Sequence, residues 1–295
     1  MPSGVRYVVG YTADERGAEA LRLGARLAGT DGATELDLVI GLPEHTPFEA
    51  VYKGAGSYGS DSILGDTVKK WAEDALAMVP EGIPATVLAR SGPSEAEVLM
   101  DVAKDRGALL IVVGAHRRGI AGRFTVGSVA SALLHSSPVP LALAPAAREA
   151  EAAPSGGLSR VTAFIGTRAG AKAVVATAAS AAARRGCPLR LVSLIPMELD
   201  DQAAIAEATA AAMAGLDAVI AETGVEADVV VAHGSDIEAA VEGLDWRPDE
   251  TAVVGSSRLG RKRRIFLGAT AHRMLRSLPV PLIVVPRDYR PGTAQ

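Results

Sequence analysis

One pattern occurs twice in this chain. IVVG at 111–114 and PVPLALAP at 138–145 recur as AVVG at 252–255 and PVPLIVVP at 279–286. Gly114 and Gly255, Gly127 and Gly268, and Pro138 and Pro279 are each 141 positions apart, so a strand, a glycine loop, a helix and a closing strand repeat without an insertion. A chain built this way folds as two copies of one unit. Each copy sets a glycine-bearing loop directly after an apolar strand and before a helix, which is where α/β domains hold phosphate.

The pattern along each copy fixes the class. Short runs of Val, Ile and Leu alternate with helical periodicity, without the in-and-out alternation of a half-exposed sheet, and this predicts parallel strands covered by helices on both faces. The expectation is an α/β protein of two tandem doubly wound domains, each with a five-stranded parallel sheet. Domain 1 covers residues 1–146, and a linker over 147–159 is rich in charge, Pro, Gly and Ser. Domain 2 covers 160–288, with a tail over 289–295. The main difference between the copies falls after the second strand. Residues 43–61 form a polar, glycine-rich segment that the second copy shortens, read as a loop that serves as lid, partner surface or plain insertion.

Charge and cysteine usage narrow the function. A formal net charge of −4 speaks against a general nucleic-acid or polybasic membrane binder, which needs excess Lys and Arg. Cys187 is the only cysteine, which suits a reducing compartment and reads as a small semi-buried residue. The first ten residues run straight into a strand with neither a basic nor an apolar leader region, so a cytoplasmic location is expected. The alanine-rich stretches at 176–183 and 203–214 are interrupted by polar residues and read as helices packed in a soluble fold.

In the first copy, Gly114 is followed by AHRRGIAGRFTV and then Gly127-Ser128 at a helix start. Glycines let backbone N–H groups turn toward an anion, and the Ser128 hydroxyl and the unpaired first-turn amides, Val129 included, add donors. Arg117, Arg118 and Arg123 supply charge for phosphate oxygens. The same loop could simply turn the chain, with its arginines in water.

A strand ending in VVG, a G-x2-G-x9-G-[S/T] loop, a helix and a closing PVP strand together resemble the universal stress protein family, and the resemblance spans both copies. It implies a flavodoxin-like fold, association as dimers or tandem pseudo-dimers, and membership in either an ATP-binding or a nucleotide-free branch. Carried over residue by residue, Gly114 is the first glycine of the loop and Gly127-Ser128 the final pair, while Arg117 stands where the second glycine is expected. That arginine either blocks the cradle or clamps the phosphate, and Gly119 and Gly122 restore flexibility beside it. Thr12 takes the place of the carboxylate that reads the adenine edge, with Gly41 also on the adenine and ribose side. Asp14, two residues on, reads as a helix cap. A weaker second site follows from Gly255, Arg258, Gly268 and Thr270, with Ala269 in the hydroxyl position.

The basic run Arg258, Arg261, Lys262, Arg263 and Arg264 could face a polyphosphate, an acidic partner or RNA, or lie in water. Without interleaved aromatics, base stacking is poorly served. His45, His116, His135, His233 and His272 are scattered singly, and no metal motif, nucleophile elbow or P-loop is present. No metal site and no catalytic residue are expected, and at most slow ATP hydrolysis. Two readings remain open. One is a cytoplasmic stress-response module binding ATP with Mg, or another adenine nucleotide, chiefly in the first copy. The other is a nucleotide-free scaffold for a protein partner. An intramolecular pseudo-dimer, with a homodimer as a further step, is expected in both.

Overall fold

The computed structural model describes residues 4–44, 49–53, 56–58, 63–115, 127–145, 157–166, 171–196, 202–256, 265, 268–287 and 289. They form two compact units.

In the first unit the chain runs β1 (Val5–Gly10), α1 (Glu15–Ala28), β2 (Thr34–Pro43), β3 (Glu49–Lys53), β4 (Gly56–Tyr58), α2 (Ile63–Ala77), β5 (Ala85–Gly92), α3 (Glu95–Asp105), β6 (Leu110–Gly114), α4 (Ser128–Ser136) and β7 (Leu141–Ala144). The sheet order is β7-β6-β1-β2-β5-β3-β4. The five strands β7, β6, β1, β2 and β5 are parallel, as the apolar runs predict. Val8, Val9, Ile111, Val112 and Leu141 are fully buried between the helix layers. α1 begins where the Asp14 carboxylate accepts hydrogen bonds from the Arg16 and Gly17 amides, and it buries Leu21, Leu23 and Leu27.

The segment over 43–61, expected to be a loop, contains a β-hairpin instead. β3 lies antiparallel on β5, with Val51 opposite Leu88, and β4 returns against β3. Tyr52 is buried while Val51 is 38% exposed, so the strand has one inner and one outer side. The surrounding glycines and serines hid this. The pairing is driven by the free edge of β5, a tertiary feature that a local reading lacks.

The second unit runs β8 (Arg160–Phe164), α5 (Ala171–Arg185), β9 (Leu189–Pro196), α6 (Gln202–Thr223), β10 (Asp228–Gly234), α7 (Ile237–Glu242), β11 (Glu250–Gly255), α8 (Ala269–Ser277) and β12 (Leu282–Val285). Its order is β10-β9-β8-β11-β12, with each neighbouring pair parallel. α6 is unbroken for 22 residues and buries only Ala212 and Leu216. By length and composition it is long enough and apolar enough to cross a membrane, a property that reading its alanines as an ordinary packed helix did not anticipate.

Each unit is pinned toward the amino ends of its strands by a buried carboxylate between two arginines. In the first, fully buried Asp37 on β2 accepts from Arg6 on β1 (3.1 Å) and from Arg106 after α3 (3.0 Å). In the second, fully buried Glu250 on β11 accepts from Arg160 (2.7 Å) and Arg190 (2.9 Å) and from the Thr162 hydroxyl. Arg190 also lies 5.4 Å from the centre of the Trp246 ring. Cys187 is half-buried, and burial pushes its thiol above the ordinary value, in keeping with a packing role.

Candidate functional site

Because the strand order reverses between the first and fourth parallel strands, each unit has a crevice at the carboxyl ends of that pair. In doubly wound sheets ligands sit there. The two units can be aligned residue by residue through strand register. Val9 pairs with Val112 and Ala163 with Val253, and Val112 and Val253 are 141 apart. Thr12 therefore corresponds to Gly166.

In the first unit the crevice lies between the ends of β1 and β6. The Thr12 hydroxyl donates to Asp14 Oδ1 at 2.6 Å, and Arg16 Nε donates to Asp14 Oδ2 at 2.8 Å. Burial by itself would raise the Asp14 carboxyl, but hydrogen bonds from Thr12, Arg16 and the Gly17 amide hold it below the ordinary range. Asp14 is the cap of α1, as read from the sequence, and it engages the hydroxyl expected to meet adenine.

Gly114 closes β6 under the first turn of α1, where a Cβ would stand 2.2 Å from the Arg16 carbonyl oxygen. Glycine is needed there because the helix backbone comes so close. Gly41, on β2, carries the Glu95 side chain packed across it, with Cγ 2.9 Å from where a Cβ would be. Burial pushes the Glu95 carboxyl up. Gly127 precedes α4 without a side-chain cap, leaving the first-turn amides around Ser128 and Val129 without a side-chain acceptor at the cap. Arg117, Gly119 and His116 lie outside the described residues, as do Gly122 and the other loop arginines.

The second unit has an open cavity of about 420 Å³ at the equivalent crevice, within the size range of small-molecule sites. Its walls come from the ends of β8 (Phe164, Ile165), β9 (Val192, Ser193), β11 (Val254, Gly255) and β12 (Val285), and from the starts of α5 and α8. Among the described residues, a Cβ added at Gly166 would meet no heavy atom within 4 Å, and one at Gly255 would meet only a Val174 methyl at 3.0 Å. Among the described residues the polar lining is Ser193, Ser256, Thr270 and Arg287, and none of these is a carboxylate. Ser256 Oγ accepts from the Arg287 amide at 3.0 Å, tying the end of β11 to the residue after the closing strand. α8 starts after Gly268 with no side-chain cap, so the amides of Ala269 and Thr270 stand at the cavity without a capping side chain.

The structure thus gathers Gly255 and Thr270 at one cavity with Gly268 beside it, while Arg258 lies outside the described residues. In the first unit Thr12 follows β1, Gly41 and Gly114 lie toward the carboxyl ends of β2 and β6, and Gly127-Ser128 start α4, with Asp14 beside Thr12 and Glu95 against Gly41. Phe164, Val192, Ile237, Met274 and Arg287 were not singled out in the sequence. Strand ends could have suggested Phe164 and Val192. A basic residue directly after Pro286, where the first copy has Ala146 after Pro145, is a faint signal for Arg287. Nothing local marks Ile237 or Met274. Among the described residues no group of His, Cys, Asp and Glu could hold a metal ion.

Comparison with known proteins agrees with the repeat. The model of the universal stress protein family matches residues 6–145 and 159–286. The chain is 29% identical over 293 residues to universal stress proteins of Mycobacterium tuberculosis and Mycobacterium bovis, spanning 95% of this chain and 99% of theirs. A universal stress protein structure from Archaeoglobus fulgidus DSM 4304 is similar at a TM-score of 0.64 and 17% identity, over 97% of this chain and 100% of that one, a likeness of fold alone. In both of its copies, over nearly its whole length, the chain belongs to the universal stress protein family.

Proposed function

We propose that this protein is a cytoplasmic stress-response module that binds an adenine nucleotide, ATP with Mg or a shorter relative, in the crevice of its second unit. The observation that carries this reading is the 420 Å³ cavity at the strand-order reversal, apolar on its strand walls and lined, among the described residues, by hydroxyls and one guanidinium. An uncapped helix start and Arg287 favour an anion, and Phe164, Val192 and Ile237 offer an apolar wall to a planar base. The sequence pointed to the first copy as the main site. Among the described residues that crevice has Asp14, already paired with Arg16, and the Glu95 side chain packed over Gly41, where the second copy offers Arg287 and an open Gly166, and this favours the second copy as host. Hydrolysis would be slow at most, since none of the described lining residues is placed as a general base.

The alternative is a nucleotide-free scaffold for a protein partner, built as an intramolecular pseudo-dimer. It is favoured by the engagement of Thr12 with Asp14 and by Ala269 at the hydroxyl position. Isothermal titration of nucleotide-stripped protein with Mg-ATP and AMP separates the two. One saturable site, lost in Gly166→Phe and kept in Thr12→Phe, is the expected outcome. Absence of heat at millimolar nucleotide would leave the scaffold reading, and loss only in Thr12→Phe would return the site to the first unit.

A further inference from the structure

The two units treat the same sheet edge differently. In the first, the edge strand β5 is sealed by antiparallel β3, and the helix beside it, α2, carries Asp66, Lys69, Lys70, Glu73 and Asp74 along its 15 residues. In the second, β10 is the edge, and among the described residues no strand pairs with its outer side. β10 reads Asp-Val-Val-Val-Ala-His-Gly, without the lysine, proline or bulge that usually protects an edge. Val229, Val230 and Val231 are only half-buried.

α6 occupies the place of α2 and packs on both β9 and β10, with α5 on its other side. Two contacts set its rotation. Glu222 pairs with Lys172 of α5, and the Thr209 hydroxyl meets His233 Nε2 of β10 at 3.3 Å. Helical spacing then places Ala206, Ala210, Met213 and Asp217 on the flank above the β10 edge. All four are exposed, and Met213 is 37% exposed.

We infer that the β10 edge and this flank of α6 form a contact surface for a second copy of the chain, the two β10 strands pairing antiparallel about a two-fold axis near Val231. The first unit already shows this edge accepting an antiparallel strand. Pairing about Val231 sets Val230 opposite Ala232 and Val229 opposite His233, and the single charge of the strand, Asp228, falls opposite Gly234, so no like charges meet in the ladder. The spacing also fits. Strands lie about 4.8 Å apart, so helices centred between β9 and β10 in each copy come to lie about 10 Å apart across the axis. That is the upper end of the helix packing distance of about 8–10 Å, and small residues at the contact allow it. The antiparallel helices bring Asp217 toward the alanines at 206 and 210 rather than toward another acid. A strand of about 23 Å and one helix flank bury on the order of 500 Å² per copy, below the usual ~800 Å², which predicts a micromolar, concentration-dependent dimer.

The test is independent of nucleotide binding. Sedimentation velocity of the full chain between 1 and 100 micromolar should show a monomer–dimer equilibrium, and hydrogen exchange should show protection of amides 228–234 rising with protein concentration. Ala210→Glu and Met213→Glu should weaken the dimer by about tenfold or more, while Ala218→Glu, on the α5 side of the helix, should not. A monomer throughout, or a dimer without concentration-dependent protection of 228–234, overturns the inference whatever the variants do. So does binding to anionic vesicles that the same two glutamate variants abolish without a dimer, which would make the partner a lipid surface.

Discussion

The two copies share strand order and crevice position, and differ in how side chains fill them. At the amino ends of the strands the charges have changed places. By register, Asp37 in the first copy corresponds to Arg190 in the second, and Arg6 to Arg160, while the central carboxylate moves from β2 to Glu250 on β11. Arg6 and Arg106 are 23% and 34% exposed, whereas Arg160 and Arg190 are each 5% exposed. At the carboxyl ends, one crevice is flanked by Asp14 and Glu95 and the other is an open cavity with Arg287. A backbone pattern that is repeated closely enough to be seen in sequence therefore leaves electrostatics and free volume to be set separately in each copy.

The sharpest way to break that contrast is at the pins. Glu250→Gln removes the carboxylate shared by two dry arginines and should cost about 3–5 kcal/mol. Asp37→Asn, whose arginine partners reach water though the carboxylate is buried, should cost less, about 1–2 kcal/mol within the range of about 1–3 kcal/mol for a buried group that loses hydrogen bonds. Trp246 and Trp71 report on the second and first units respectively, so fluorescence-detected urea unfolding assigns each loss, and equal losses would refute the difference in dryness. Next come the strand-end glycines. Gly114→Ala drives a methyl into the Arg16 carbonyl and should cost about 3 kcal/mol, against less than about 1 kcal/mol for Gly255→Ala, where only a valine methyl must yield. Thermal melts of the two variants decide it, and a mild Gly114→Ala would mean that α1 is not held against β6.

The smallest effect concerns pH. Burial raises the Glu95 carboxyl in the folded state, so the folded protein holds this proton more tightly than the unfolded chain does. Its stabilising effect is fully present below the unfolded value of about 4 and is lost as pH rises through the folded value. Glu95→Gln should match the natural protein near pH 4 and exceed it at pH 7, by under about 1 kcal/mol after solvent screening. Urea titrations across that range test the sign, and a variant less stable at pH 7 would show that the carboxylate is favourably paired. Ile237 holds the corresponding place in the second copy and titrates nothing, so the Trp246 signal should show no counterpart.

Much of the fold was legible because it is written in contiguous residues. Apolar runs gave the parallel strands, Asp14 gave the start of α1, and the 141-residue offset gave two units. The hairpin at Glu49–Tyr58 was not legible, since its strands are short and exist by pairing with β5. The site was half legible. The glycines and helix starts of the candidate sites could be read in both copies, but the Ser128 hydroxyl, against Ala269 in the second copy, carried the expectation toward the first, and no local signal shows that Glu95 covers Gly41 or that no described residue covers Gly166.

By itself the sequence determined the family, the doubled α/β architecture and the places where crevices occur, because periodicity, capping and glycine spacing act over a few neighbouring residues. Only the tertiary structure decided that the second copy's crevice holds a cavity, how far the arginines around each buried carboxylate reach water, and which sheet edge, among the described residues, is left without a strand. Volume, dielectric and edge exposure depend on the ends of four strands and two helices, residues as distant as Phe164 and Arg287, and no window along the chain contains them together.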